Sequence, residues 1–283
     1  MKLPLSKNKM IALIVICLLV AIIYVDVFRE LISEWMNNPD YSHGFFIPFM
    51  AIYMIWNKRN ETRVIDETPS LWGLPVLFLG IAQFMAGKIG AEHFIQGASM
   101  IFVILGITLV LWGRRTALIV LIPIVYLIFM IPLPAIIWNK YAFTLRLFAT
   151  QLAAICIQSL GVTVLREGNV LYLPSATLEV VDACSGMRSL ISLLALSVFI
   201  GFLSQLNVWK KWLLFFAAIP IAIVSNIIRL ILIAVLGEDF GIKLTEGLNH
   251  SLSGIFVFMI GTFFVALVYL VLDRLASERD HAE

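Results

Sequence analysis

Long apolar stretches alternate with short polar segments along this chain, and the length of these stretches predicts membrane-spanning helices. A helix needs about 20 apolar residues to cross a bilayer, and a shorter helix can cross where the bilayer thins. Eight stretches are candidates, although the second is short: 10–25, 43–57, 71–87, 95–113, 117–134, 186–206, 212–236 and 252–272. We read no internal repeat and no linker, so the pattern predicts one domain, 1–283.

A further apolar stretch, 147–165, is long enough to span, but polar residues recur every seven positions in this part of the chain, at Thr144, Gln151 and Gln158. A helix with such a polar stripe either lies in the membrane–water interface or lines a cavity. The positive-inside rule favours a helix that does not cross, because the basic residues between spans then share the side of the N-terminus. These residues are Lys58, Arg59, Arg63, Arg114, Arg115, Lys210, Lys211, Arg274 and Arg279.

Between this helix and the sixth stretch the pattern changes to short β-branched or apolar runs at 162–165, 170–173 and 177–181. Turn residues at 167–169 and 174–175 separate them, which predicts a small β-hairpin or meander at the outer surface. Its edge either docks an extended peptide by strand addition or serves as a structural lid. The predicted fold is therefore an all-α polytopic membrane protein with about eight transmembrane helices, one outer amphipathic helix and this small sheet.

Composition supports lipid as the solvent, since 61% of the residues are hydrophobic and 13% are charged. An ordinary soluble domain is about 25% charged. A net charge of +2 gives no reason to expect a nucleic-acid partner. The N-terminal lysines resemble a signal peptide, but without a small-residue cleavage site we expect a retained first span. Cys17 and Cys156 are expected to be buried, and no pattern predicts a disulfide framework, metal or cofactor.

The third cysteine, Cys184, lies where the β pattern ends and a helical stretch begins. Asp182 or Ser185 is expected to cap that helix, with Gly186 following. The helix macrodipole and Arg188, one turn further on, would lower the pKa of the Cys184 thiol and populate the thiolate. The alternative is a small buried hydrophobic residue, as free cysteine often is.

Arg229 lies inside an otherwise uncharged stretch, about 12 Å below the outer end of its helix at 1.5 Å per residue. An ionisable group at this depth marks a functional site by default. Asn226 precedes it by three residues and shares its helix face. The structural alternative is a snorkelling arginine, or one that pairs with Glu179 or Asp182.

His250 opens the last stretch, on the same predicted side as Cys184 and the outer part of the Arg229 helix. A lone histidine at a membrane boundary is more often structural, and His93 is expected to lie in a short outer loop. Cysteine with histidine, however, makes an activated nucleophile, and an arginine can stabilise an oxyanion. Together they suit acyl transfer from a peptide carbonyl.

At these residues the chain resembles the exosortase/archaeosortase family of membrane transpeptidases. The matching motifs are Ala-Cys-Ser-Gly-Met-Arg at 183–188, Asn-Ile-Ile-Arg at 226–229, His250, Tyr-Ser-His-Gly-Phe-Phe-Ile-Pro at 41–48 and Arg-Glu-Gly-Asn at 166–169. The resemblance covers most of the chain, and a histidine at position 250 favours the bacterial branch.

The resemblance implies a cysteine transpeptidase or protease of the bacterial cytoplasmic membrane, with both termini in the cytoplasm and the site outside. Its substrates would be secreted proteins with a C-terminal sorting signal of the PEP-CTERM kind: a short motif, a transmembrane helix and a basic cluster. Cys184 would be the nucleophile, His250 the proton-transfer residue and Arg229 the transition-state stabiliser, with an unknown acceptor. Two alternatives are a non-catalytic factor for envelope polysaccharide or protein export, and a transporter with Arg229 in its path.

Overall fold

Apolar helices make up most of the structure, a computed structural model that describes residues 7–63, 68–174, 177–180, 186–240 and 247–280. Helices satisfy their own backbone hydrogen bonds, which lipid cannot do. The α-helices of this part of the chain are α1 (Lys7–Ile23), α2 (Val25–Asn37), α3 (Phe46–Asn57), α4 (Arg59–Arg63), α5 (Gly73–Ile89), α6 (His93–Tyr126), α7 (Ala135–Ser159), α8 (Met187–Leu203), α9 (Val208–Phe240) and α10 (Gly247–Asp280). Short 3-10 helices cover Pro39–Phe45 and Leu127–Met130.

Helix α6 is a pair of antiparallel segments, because the chain reverses at Gly113, where φ is 82° and ψ is −179°. A Cβ built on Gly97 would lie 2.8 Å from Cγ2 of Ile131. In a straight helix residues so far apart in sequence would be about 50 Å from one another. The two apolar stretches predicted at 95–113 and 117–134 are therefore confirmed as separate helical segments, although the second is an α-helix only as far as Tyr126.

The two ends of α8 contact oppositely charged partners. Arg188, in its first turn, donates from Nη2 to Oδ1 of Asp40 at 2.7 Å. Near its last turn, the Phe202 ring faces Nζ of Lys58 at 5.8 Å from the ring centroid. Lys210, at the start of α9, donates from Nζ to a backbone carbonyl in the last part of α10 at 3.1 Å. We call these the Arg188 end and the Lys58 end of the bundle. Lys58 and Lys210, which belong to two of the basic segments, thus lie at the same end.

Helix α7 lies at the Arg188 end. Its Trp138 ring packs on Tyr41, with ring centroids 4.9 Å apart. Further along, Ile157 lies in one apolar cluster with Leu230 and Ile233 of α9. Helix α7 therefore runs beside the C-terminal half of α9, away from the Lys58 end. That α7 does not cross the membrane stays a prediction.

The predicted start of that helix was wrong, because α7 begins at Ala135 rather than 147 and ends at Ser159. It includes Lys140 and Arg146, which the apolar pattern had left outside. By length and composition alone, four described segments are able to cross a membrane: His93–Met130, Ala135–Ser159, Val208–Val235 and Gly254–Leu275. The number of about eight spans stays a prediction.

The predicted meander is present as a three-stranded sheet in the order β1-β2-β3, with β1 (Leu165–Glu167), β2 (Val170–Tyr172) and β3 (Thr177–Glu179). The first strand lies later than the predicted 162–165, because Gly168, with φ of 61°, allows a tight two-residue turn directly after Glu167. Leu171 and Leu178 are 0% and 5% exposed and join the apolar cluster of α7 and α9. The sheet therefore sits at the Arg188 end.

Replacing Gly113 by alanine should destabilise the fold. A side chain there meets both an unfavourable positive φ and the carbonyl oxygen of Thr68. We expect a cost of about 2–4 kcal/mol and a lower melting temperature of the purified protein in detergent. Gly161→Ala is the matched control, because its φ is +87° but nothing lies within 4 Å of the new Cβ. Equal melting temperatures for the two variants would contradict this account of α6.

Candidate active site

The site is built around the start of α8, whose N-cap is Gly186 in the left-handed conformation, with φ of 82°. Ser189 donates from Oγ to the Gly186 carbonyl at 2.9 Å. The prediction that Asp182 or Ser185 provides the N-cap was wrong, because the positive φ that precedes the helix requires glycine there. Cys184, with Asp182 and Ser185, lies outside the described residues.

Gly186 packs directly on Asn226 of α9. A Cβ built on Gly186 would lie 3.2 Å from Cγ and Nδ2 of the Asn226 side chain. Asn226 is 1% exposed, and Arg229, one turn further along the same face, is 6% exposed. The cysteine motif and the Asn-Ile-Ile-Arg motif, 40 residues apart in sequence, therefore meet in space.

Arg188 is held by Asp40, a residue that the sequence reasoning missed. The guanidinium donates from Nε and Nη2 to Oδ1 of Asp40 at 2.9 and 2.7 Å. The side chains are 32% and 13% exposed, respectively, so the pair is largely withdrawn from water. Arg188 was predicted to act as a positive group near Cys184, but the Asp40 carboxylate offsets much of that charge. Only the position of Asp40, directly before the motif at 41–48, hinted at a role.

The segment that carries Asp40 is itself fixed by long-range hydrogen bonds. The side chain of Asn38 accepts from the backbone N–H of Asp40 at 3.1 Å. Trp35 donates from Nε1 to the carbonyl of Met130 at 2.9 Å, and His43 donates from Nε2 to the carbonyl of Phe129 at 3.1 Å. The sequence motif at 41–48 therefore supports the residue that holds Arg188.

Helix α10 also lies close to the start of α8. Nη1 of Arg188, the nitrogen that Asp40 does not bind, lies 3.9 Å from a Cβ built on Gly254. Position 250 is one turn earlier on the same face of α10. The predicted residue His250 thus belongs to the first turns of the helix that Arg188 contacts, while its side chain lies outside the described residues.

Residues 35–267 match the model of the family described as transmembrane exosortase (Exosortase_EpsH). The chain belongs to the transmembrane exosortase family. No curated protein and no solved structure matches it. The matched region of this exosortase includes Asp40 as well as the cysteine motif and the Asn-Ile-Ile-Arg motif.

The structure also locates two other residues that the sequence singled out. His93 is the first residue of α6, not part of a loop, and its Nδ1 lies 2.5 Å from Oε2 of Glu30 in an exposed pair. Glu179, considered as a partner of Arg229, lies exposed on β3. Asp182, the other candidate partner, is not among the described residues.

Asp40→Asn and Arg188→Gln should each destabilise the exosortase by about 1–3 kcal/mol, because each leaves a partly buried charge without its partner. The double variant should cost less than the sum of the two, which a double-mutant cycle on thermal unfolding in detergent measures. Asp26→Asn is the control, since the Asp26–Arg29 pair is 3.7 Å apart and exposed. Strictly additive effects at Asp40 and Arg188 would contradict the coupling.

Proposed function

We propose that this exosortase is a membrane cysteine transpeptidase or protease that cleaves the C-terminal sorting signal of secreted proteins. The observation that supports it most is the packing of Gly186 on Asn226, because it joins the cysteine motif to the helix face of Arg229. Two peptide bonds separate Cys184 from Gly186, so their Cα atoms are at most about 7.6 Å apart. A thiol, a buried guanidinium and the helix that begins near His250 therefore belong to one region.

The proposed reaction runs through a thioester. The Cys184 thiolate attacks the scissile carbonyl carbon, a C–S bond forms, and Arg229 stabilises the oxyanion of the tetrahedral intermediate. His250 protonates the leaving amine as the C–N bond breaks. Water or an acceptor amine then attacks the thioester, passes a proton to His250, and the C–S bond breaks to restore the thiolate. Attack by water gives hydrolysis, and attack by an acceptor amine gives transfer.

The proposed location is the bacterial cytoplasmic membrane, with the Lys58 end in the cytoplasm. Lys58 and Lys210 lie at that end, and basic residues favour the cytoplasmic side. Both termini would then be cytoplasmic and the start of α8 would face outward. A sorting signal with its own basic cluster inside the cell would present its motif at the same outer boundary, where Cys184 is proposed to act.

Substitution of the proposed catalytic residues tests the reaction. The probe is a co-expressed reporter that ends in a Pro-Glu-Pro motif, a transmembrane helix and a basic cluster. Cys184→Ala should abolish its cleavage, and Arg229→Ala and His250→Ala should each slow it by about 10²-fold or more. Immunoblots of reporter and enzyme measure cleavage and enzyme level together.

The matched control for that experiment is Cys156→Ala, which removes a thiol of α7 that is partly buried. It should cleave the reporter at the wild-type rate. Normal cleavage by Cys184→Ala at wild-type enzyme level would rule out the proposed nucleophile, and normal cleavage by Arg229→Ala or His250→Ala would remove that residue from its role.

The charge balance at Arg188 should control the reactivity of Cys184. In a chain whose other cysteines are alanine, Arg188→Gln should slow alkylation of Cys184 by iodoacetamide about two- to fivefold at pH 7, because a nearby positive charge stabilises the thiolate. Asp40→Asn should speed it by a similar factor, since it leaves the Arg188 charge without its carboxylate. Mass spectrometry measures both rates, and changes in the same direction would contradict this charge balance.

A further inference from the structure

The small sheet has a free edge that leads to the proposed nucleophile. Among the described residues, β3 pairs with β2 on one side and with no strand on the other. Helix α7 contacts β1 and β2, which leaves β3 as the strand farther from α7. After Val180 the chain continues directly into the segment of Cys184.

The pairing register shows which backbone groups point to this open side. In β2 and β3, Leu171 faces Leu178, and two pairs further along the N–H of Val180 donates to the carbonyl of Asn169 at 2.9 Å. Bonded and non-bonded pairs alternate in an antiparallel ladder, so Leu178 and Val180 bond to the β2 side. The N–H and C=O groups of Thr177 and Glu179 therefore point away from β2.

These two N–H and two C=O groups have the spacing of the backbone groups of an extended peptide. Residues two apart on a strand are separated by about 6.8 Å, the same repeat that an incoming strand presents. The strand is also held firmly, because Leu178 and Val180 are 5% and 0% exposed and pack in the cluster of α7 and α9. Glu179 is five residues before Cys184, so the Cα atoms of these two residues are at most about 18 Å apart.

We propose that the free edge of β3 binds the extended peptide of the substrate by strand addition and leads its scissile bond toward Cys184. This inference rests on the proposed function and adds how the substrate is recognised. Binding through backbone groups holds a peptide with little demand on its side chains, so this edge would accept many tailed proteins. It also gives the sheet a role beyond that of a lid.

Proline substitution on the edge tests the proposal. Glu179→Pro removes an N–H that points away from β2, and an edge strand tolerates proline at such a position. With the tailed reporter, Glu179→Pro should cleave at least tenfold more slowly than Glu179→Ala, which keeps the backbone N–H. On the opposite edge, Arg166 pairs with Leu171, whose backbone bonds to β3, so the Arg166 N–H also points outward. Arg166→Pro, compared with Arg166→Ala, should spare cleavage.

Equal cleavage by Glu179→Pro and wild type would overturn the proposal. Equal losses in Glu179→Pro and Arg166→Pro would overturn it as well, because the effect would then come from a weakened sheet. Thermal unfolding of the purified variants in detergent shows whether the folded sheet is retained.

A crosslinking experiment is independent of catalysis. In a chain whose three cysteines are alanine, including Cys184→Ala, Thr177→Cys should form a disulfide with a reporter cysteine placed just before its Pro-Glu-Pro motif. Leu165→Cys is the control, because Leu165 is 60% exposed on β1. Absence of a crosslink at position 177, or equal yields at 177 and 165, would overturn strand addition. The proposed function fails separately, if Cys184→Ala alone still cleaves the reporter.

Discussion

The ion pair between Asp40 and Arg188 is the contact on which the arrangement at this end of the molecule depends. It joins a 3-10 turn near the N-terminus to the first turn of α8 across 148 residues. The turn is held by the Trp35 and His43 hydrogen bonds, so Arg188 is held through a fixed carboxylate. A fixed start of α8 lets Gly186 meet Asn226, and it brings Nη1 of Arg188 to α10. Three helices thereby converge at the end of the cysteine motif, at Gly186 and Arg188.

The lipid environment explains where the other charged contacts lie in the bundle. Polar groups are costly in the apolar layer, so the charged contacts gather at the two ends of the bundle, with Lys58 at one end and Asp40 at the other. Among the described residues, Arg229 is an exception, since it is buried inside an apolar helix beside Asn226. A buried cation of this kind is retained where it serves binding or chemistry, which agrees with the proposed oxyanion role of Arg229.

The positions of the apolar helices were predictable, because an uninterrupted apolar run in lipid has few alternatives to a helix. The reversal at Gly113 also coincides with the predicted end of the span at 95–113. The start of α7 was missed because Lys140 and Arg146 interrupt the apolar pattern of a helix that lies at one end of the bundle. Asp40 was missed for another reason: an ion pair between residues 148 apart leaves no local periodicity. The N-cap at Gly186 depends on a backbone angle that neighbouring Asp and Ser residues do not reveal.

The central claim is that Cys184 forms a covalent bond to the substrate beside the helices that meet at Gly186. Rapid acid quenching of the enzyme with the tailed reporter, followed by peptide mapping, tests it most directly. The account predicts a thioester that joins Cys184 to the new C-terminus of the reporter and that neutral hydroxylamine removes. Cleavage of the reporter with no adduct at Cys184, or with an adduct on another residue, would contradict it.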